Sequence, residues 1–267
     1  MNFRPASLLL ALALMAPLAA QSQISLSVRI GPPPLPVYVQ PQLPGPGYIW
    51  TPGYWGWSEP DQDYFWVPGT WVRPPRVGVL WTPGYWGFEG GMFRWRLGYW
   101  GPRVGFYGGV NYGYGYGGSG YQGGRWNGKV FNYNTTVNNV NRTVIRNVYT
   151  TKVVNNVNVT RVSYNGGPNG VKAQPTALQV REQQVKHLEP TATQVEHEVK
   201  ALKTPTQKAS VNRGVPQVAA TDKPADFSSP RAVNARNKAT VDAGDAKSEL
   251  PAAPVGSGKA PMKTDPL

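Results

Sequence analysis

The 267 residues contain no cysteine, two histidines, and no Asp or Glu between Gly90 and Arg181. Without thiols there are no disulfide staples and no cysteine for a lipoprotein anchor, so packing alone must hold the fold. His187 and His197 stand ten residues apart with no His/Cys ligand spacing around them, and read as solvated faces of marginal helices. No G-x-S-x-G elbow occurs, and the Gly-rich stretch lacks the Lys-Ser/Thr of a phosphate-binding loop. The carboxylates Glu59, Asp61, Asp63 and Glu89 fall in turns, where solvent keeps them ionised. A glycosidase needs two facing a cleft with one protonated, and a calcium loop needs a fuller oxygen set. The chain reads as non-enzymatic, with no cofactor or metal.

Long apolar runs are scarce too. One lies at the start: Arg4, an apolar stretch from Ala6 to Ala16, then Pro17 and the small-x-small step Ala20-Gln21-Ser22. This is the pattern of a signal peptide over residues 1–22, cleaved after Ser22 or after Ala20, and it is too short to span a bilayer. The mature protein is expected in the periplasm, on the outer-membrane surface or outside the cell.

What the chain has in excess is Gly (31), Pro (27) and Trp (10). Eight of the tryptophans stand in four copies of one phrase, Trp-x-x-Gly-x-Trp, at 50–55, 66–71, 81–86 and 95–100. The copies pair into two longer units, each with an aromatic leg, a polar or Gly-rich turn (Ser58 to Asp63, Glu89 to Gly91) and an aromatic return leg. Trp, Tyr, Phe and Val favour strands, so each unit predicts a β-hairpin and the pair a small four-stranded antiparallel meander. Pro-Gly inside the phrase has the sequence of a type II turn, which suits a corner or bulge between strands better than a hairpin tip. The fourth copy has Leu97 where the others have Pro, so the glycine is the shared geometric need.

Around this Trp-repeat β domain (48–101) the composition changes repeatedly. A Pro-rich lead (23–47) suits polyproline-like extension. A Gly/Tyr segment (102–124) predicts a flexible stretch with stacking rings, unless it wraps the sheet. Within 125–170, Trp126-Asn127-Gly128-Lys129 carries a type I′ hairpin signal. The Asn/Val-rich run after it has helical spacing of valines but β-branched, locally hydrogen-bonding residues, and is read as β. Over 171–203, the repeated Pro-Thr-Ala units place capping boxes at Thr176/Gln179 and Thr191/Gln194, opening two short helices that end near Leu188 and Leu202. Residues 204–267 read as a disordered basic tail. The fold class is mainly β.

The net charge of +13 is concentrated where acids are missing: eleven Lys and Arg fall between Arg94 and Arg181. Such a field favours anionic surfaces, or serves solubility alone. Most of the tryptophans are needed as core, with a minority facing outward beside arginines, where rings stack on sugars and cations hold anions. The candidate binding residues are Trp57, Trp71, Arg73, Arg76, Arg94, Arg96 and Trp100. The expected partner is acidic polysaccharide or an anionic envelope surface; the alternative is self-association through the Gly/Tyr and Asn/Val stretches.

The Trp frames, the leads Tyr48-Ile49-Trp50 and Tyr64-Phe65-Trp66, and the step Trp55-Gly56-Trp57 resemble the YXWGXW (WXXGXW) repeat family of secreted or envelope-associated bacterial proteins. Ser163 to Pro168 and the Pro-Thr-Ala units are similar to the C-terminal parts of such proteins. The resemblance implies compartment and architecture, and it brings no catalytic or ligand residue with it.

Overall fold

A computed structural model of the chain describes residues 26–153 and 161–236. The expected signal peptide and the end of the expected tail lie outside these residues. Strands β1 (Ser27–Val28), β2 (Ile49–Thr51), β3 (Tyr54–Ser58), β4 (Asp63–Val67) and β5 (Gly69–Val72) lead into the second repeat unit. That unit holds β6 (Leu80–Thr82), β7 (Tyr85–Glu89), β8 (Met92–Arg96) and β9 (Tyr99–Gly101). Short strands β10 (Asn111–Gly113), β11 (Tyr116–Gly117), β12 (Gly124–Asn127), β13 (Val130–Asn134), β14 (Val148–Tyr149) and β15 (Tyr164–Asn165) follow. Helices α1 (Ala177–Glu182), α2 (Ala192–Lys203) and α3 (Ala209–Asn212) precede β16 (Ala220–Thr221).

Each repeat unit is a hairpin built from two Trp phrases running antiparallel. In the first, β2 pairs with β5 and β3 with β4, placing Trp50 opposite Trp71 and Trp55 opposite Trp66. In the second, Trp81 faces Trp100 and Trp86 faces Trp95. The first Trp of one phrase thus meets the last Trp of its partner, with ring centroids 5.2–5.4 Å apart in all four pairs. Cross-strand aromatic pairs of this kind stabilise a sheet beyond their buried area.

The glycine explains why the phrase has a fixed spacing. The ladder breaks midway, and there Gly53 meets Gly69 and Gly84 meets Gly98. A Cβ on Gly53 would stand 2.4 Å from the Trp66 indole and 2.8 Å from the Val67 carbonyl oxygen; one on Gly69 would stand 2.6 Å from Trp50. Gly84 faces Trp95 and Gly98 faces Trp81 in the same way, each at 2.5 Å. Each phrase's leading indole therefore lies over the glycine of its partner. None of the four glycines has positive φ, so Pro-Gly is a break between strands, as expected, without the left-handed Gly of a type II turn. Leu97 leaves the arrangement intact because Gly98 is the residue with no room for a side chain. The true tips are Glu59 to Gln62 and Gly90-Gly91; the latter's positive φ values at both positions are those of a type I′ turn.

The fold is mainly β and both hairpins form, as expected, but they do not pair with each other into one four-stranded sheet. β16 joins β5 in parallel to give the sheet β16-β5-β2, while β1 and β15 flank β8 and β7. The hairpins meet instead through side chains: Trp86 Nε1 donates to the Trp55 carbonyl at 2.8 Å, and Tyr54 stacks on Trp95 at 4.9 Å. A ladder between hairpins would leave the indoles of each without a second layer, whereas this packing buries both sets.

The flanks complete that core. A buried indole N–H needs an acceptor, and extended Pro-rich backbone has carbonyls free of internal bonds. Trp55 Nε1 donates to Pro34 O at 3.2 Å and Trp71 Nε1 to Pro41 O at 2.9 Å. The Gly/Tyr segment wraps the hairpins: Tyr107, Tyr112 and Tyr116 are buried, with hydroxyls donating to Gly120, Gly84 and Trp81 carbonyls.

Four expectations change further along. The hairpin of β12 and β13 pairs Asn127 with Val130, so Gly128-Lys129 form the turn, and Gly128 alone has positive φ. That is the pattern of a type II′ turn, one residue on from the expected type I′. Over residues 135–153 of the Asn/Val run the strand is limited to β14, because asparagines close local turns: Asn134 Oδ1 accepts from Thr136 N and Asn141 Oδ1 from Thr143 N, while Asn134 Nδ2 reaches across to Gln122 O and Thr151 O and Asn147 Nδ2 to Phe131 O. Residues 154–160 lie outside the description.

Both capping boxes form, yet α1 stops at Glu182, short of Leu188. The start of the supposed tail is ordered: Gln207 is buried and donates to Trp66 O at 3.1 Å and Val218 O at 2.7 Å, while Trp66 Nε1 donates to Ala219 O at 3.0 Å. Polar composition failed as a guide because this segment pairs with an open hairpin edge and needs little apolar surface of its own. Gln194 has a double role, since its Oε1 accepts from Thr191 N at 2.9 Å and from buried Trp100 Nε1 at 2.8 Å. A Thr191→Ala variant should therefore lose about 1 kcal/mol, an ordinary cap. Gln194→Ala should lose a further 1–3 kcal/mol or so by stranding the indole, as read from urea midpoints.

Candidate functional site

The titratable groups sort first. Glu59 accepts from Trp57 Nε1 at 2.8 Å, Asp61 pairs with Lys208 at 2.8 Å, Asp63 holds Ser210, and Glu89 holds Arg96. Each of these four carboxylates has its own partner, and among the described residues no three His, Cys, Asp or Glu side chains converge as a metal would require.

The histidines are not solvated. His197 is buried in α2, with Nε2 2.8 Å from Pro68 O and Nδ1 accepting from the Ala225 N–H at 2.7 Å. Those partners require the neutral ring protonated on Nε2. Burial lowers its pKa to about 4, although the bond to Pro68 works the other way. His187 stacks on Tyr99 at 3.6 Å. Helix periodicity alone could not reveal the cover over His197, and half-buried His187 lies beyond the end of α1. Beside His197, burial raises the Glu198 carboxyl, opposed by its hydrogen bond with Tyr54. The cavity there, about 50 Å³, has room for a few waters but not for a ligand.

A larger opening lies where the end of the first hairpin meets the β12–β13 hairpin. This groove of about 450 Å³ is lined by Arg73, Arg76 and Lys129 around Trp126, Phe131 and Asn147, with proline and valine walls. Among the described residues its lining contains no carboxylate. Arg73 leaves β5 directly after Trp71-Val72, is exposed, and lies over the Tyr48 ring at 4.4 Å. Arg76 is exposed in the following turn, and Lys129 stands at the tip of the β12–β13 hairpin. None of the three has an ion pair with a described carboxylate. Trp126 is half-buried and fixed, with Nε1 donating to Val79 O at 2.9 Å and its ring meeting Phe131 edge-on at 5.2 Å.

Of the seven residues singled out in the sequence, the structure brings Arg73 and Arg76 together here. Trp71 and Trp100 have no exposed surface, so their rings are core and cannot stack on a ligand. Trp57 stays half-buried at the first hairpin tip, hydrogen-bonded to Glu59. Arg96 is neutralised by Glu89 at 2.7 and 2.9 Å, and Arg94 lies between β1 and β7 with its Nε buried. Trp126, Lys129 and Asn147 were missed, although Trp126 and Lys129 lie beside and within a turn in the acid-free run and Trp126 stands outside the repeat frame.

The fold is thus a Trp-rich double hairpin with a basic groove at one end. Residues 45–72 and 76–100 match the WXXGXW repeat, and the chain carries two copies of it, one for each hairpin. No curated protein and no solved structure matches the chain.

Proposed function

We propose that this is an exported, non-enzymatic protein of the bacterial envelope whose Trp-repeat body presents a basic groove to anionic polymers, acidic polysaccharide above all. The observation that carries the reading is the groove itself: three cations that, among the described residues, have no ion pair and no carboxylate beside them in the lining. The acid-free run from Gly90 to Arg181 extends the positive field around it, which raises the local concentration of polyanions. The N-terminal pattern supports export. The self-assembly alternative has less to work with, because the Gly/Tyr rings and several Asn side chains are spent inside the molecule.

Co-sedimentation with purified envelope material tests this. The protein should pellet with envelope at low salt, leave it at high salt, and stay soluble alone, since exposed charges are screened beyond about 8–10 Å at physiological ionic strength. Pelleting of the protein by itself, tolerant of salt, would favour self-assembly.

A further inference from the structure

We infer that the groove is a site for an acidic sugar unit, with Trp126 as the platform for the ring and Arg73, Arg76 and Lys129 as the seat of its carboxylate. This rests on the polyanion reading and narrows it from charge attraction to recognition of a ring.

The lining holds more than a polyanion needs. A phosphate chain is satisfied by cations alone. This groove adds a half-buried indole whose position is set by the Val79 carbonyl and the Phe131 edge, so a ligand would meet it pre-organised. The apolar C–H face of a pyranose stacks on such a surface as bases do on aromatic platforms. Asn147 supplies what hydroxyls require. Its amide nitrogen donates to Phe131 O, which leaves the side-chain carbonyl oxygen as an acceptor among cationic donors. Arg73 is exposed, and its guanidinium rests on the Tyr48 ring, which favours one placement of the group. The planar fork of an Arg suits a carboxylate. The volume of about 450 Å³ lies within the range of small-molecule sites and is larger than one sugar ring needs.

The test is calorimetric titration of the full chain with trigalacturonate, a neutral galactose trisaccharide and tripolyphosphate. Trigalacturonate should bind at one site, and the neutral sugar should bind at least about tenfold more weakly. Trp126→Ala should lose about tenfold or more for trigalacturonate and leave tripolyphosphate unchanged. Arg73→Gln/Arg76→Gln should weaken both anions. Should Trp126→Ala fail to fold, Trp126→Phe, which keeps a smaller platform, should still lose several-fold for trigalacturonate alone. Trigalacturonate binding indifferent to both Trp126 variants, or tighter binding of tripolyphosphate, overturns the sugar site while leaving the polyanion reading standing. If neither anion binds, both fall.

Discussion

A Gly53→Ala variant should lose about 3 kcal/mol of stability, the upper end for overpacking a close-packed site. The added methyl would stand 2.4 Å from the Trp66 indole and 2.8 Å from two backbone atoms, Val67 O and Gly69 N. Backbone on the facing strand cannot step aside as a flexible side chain would, and moving it would separate Trp50 from Trp71 and Trp55 from Trp66. Gly98→Ala in the second hairpin should behave alike, with Trp81 at 2.5 Å and Thr82 O at 2.8 Å. The control is Gly87→Ala, a strand glycine whose nearest such contact is 3.7 Å. It should be neutral or stabilising by up to about 1 kcal/mol, because alanine has less backbone freedom to lose. Equal urea midpoints for Gly53→Ala and Gly87→Ala would refute the packing role given to the phrase's glycine.

Acid should weaken the fold through His197. Its folded pKa of about 4 lies below the ordinary 6.5, so between those values the unfolded chain binds a proton that the folded chain refuses. The contribution is complete above about pH 6.5 and is lost progressively as pH falls toward 4. Its full size is on the order of 3 kcal/mol. The cause is chiefly burial of the ring, with Lys200 adding repulsion, and a proton on Nδ1 would have to displace the bond from the Ala225 N–H. Glu198, raised by burial, acts in the opposite sense by favouring its protonated form. The difference between wild type and His197→Gln isolates the histidine. Stability of His197→Gln should depend less on pH across this window; parallel curves would remove His197 from the account.

The hairpins were legible because their information is local. Strand-forming aromatics, glycine at fixed spacing and turn residues between legs place Trp50 to Trp71 on one ribbon without any knowledge of the rest. The capping boxes at Thr176 and Thr191 were readable for the same reason. What escaped is contact at long range. The indoles of Trp55, Trp71, Trp100 and Trp66 find acceptors 21, 30, 94 and 153 residues away, and three of those acceptors are main-chain carbonyls of no particular residue type. The segment around Gln207 looked unable to fold because composition measures what a stretch buries by itself, not what edge it completes. The groove was half visible: Arg73 and Arg76 follow a Trp phrase, but only the tertiary fold sets them beside Trp126 and Lys129.

The most direct test of the groove is a comparison of two charge-matched variants for affinity to polygalacturonate at one ionic strength. One is Arg73→Gln/Arg76→Gln/Lys129→Gln in the groove; the other is Arg103→Gln/Lys172→Gln/Lys186→Gln, three exposed cations outside its lining. Both lower the net charge equally, so a diffuse field would weaken them alike. The groove variant should lose at least about tenfold in affinity while the other stays within about threefold of wild type. Equal losses would contradict the account and assign binding to overall charge.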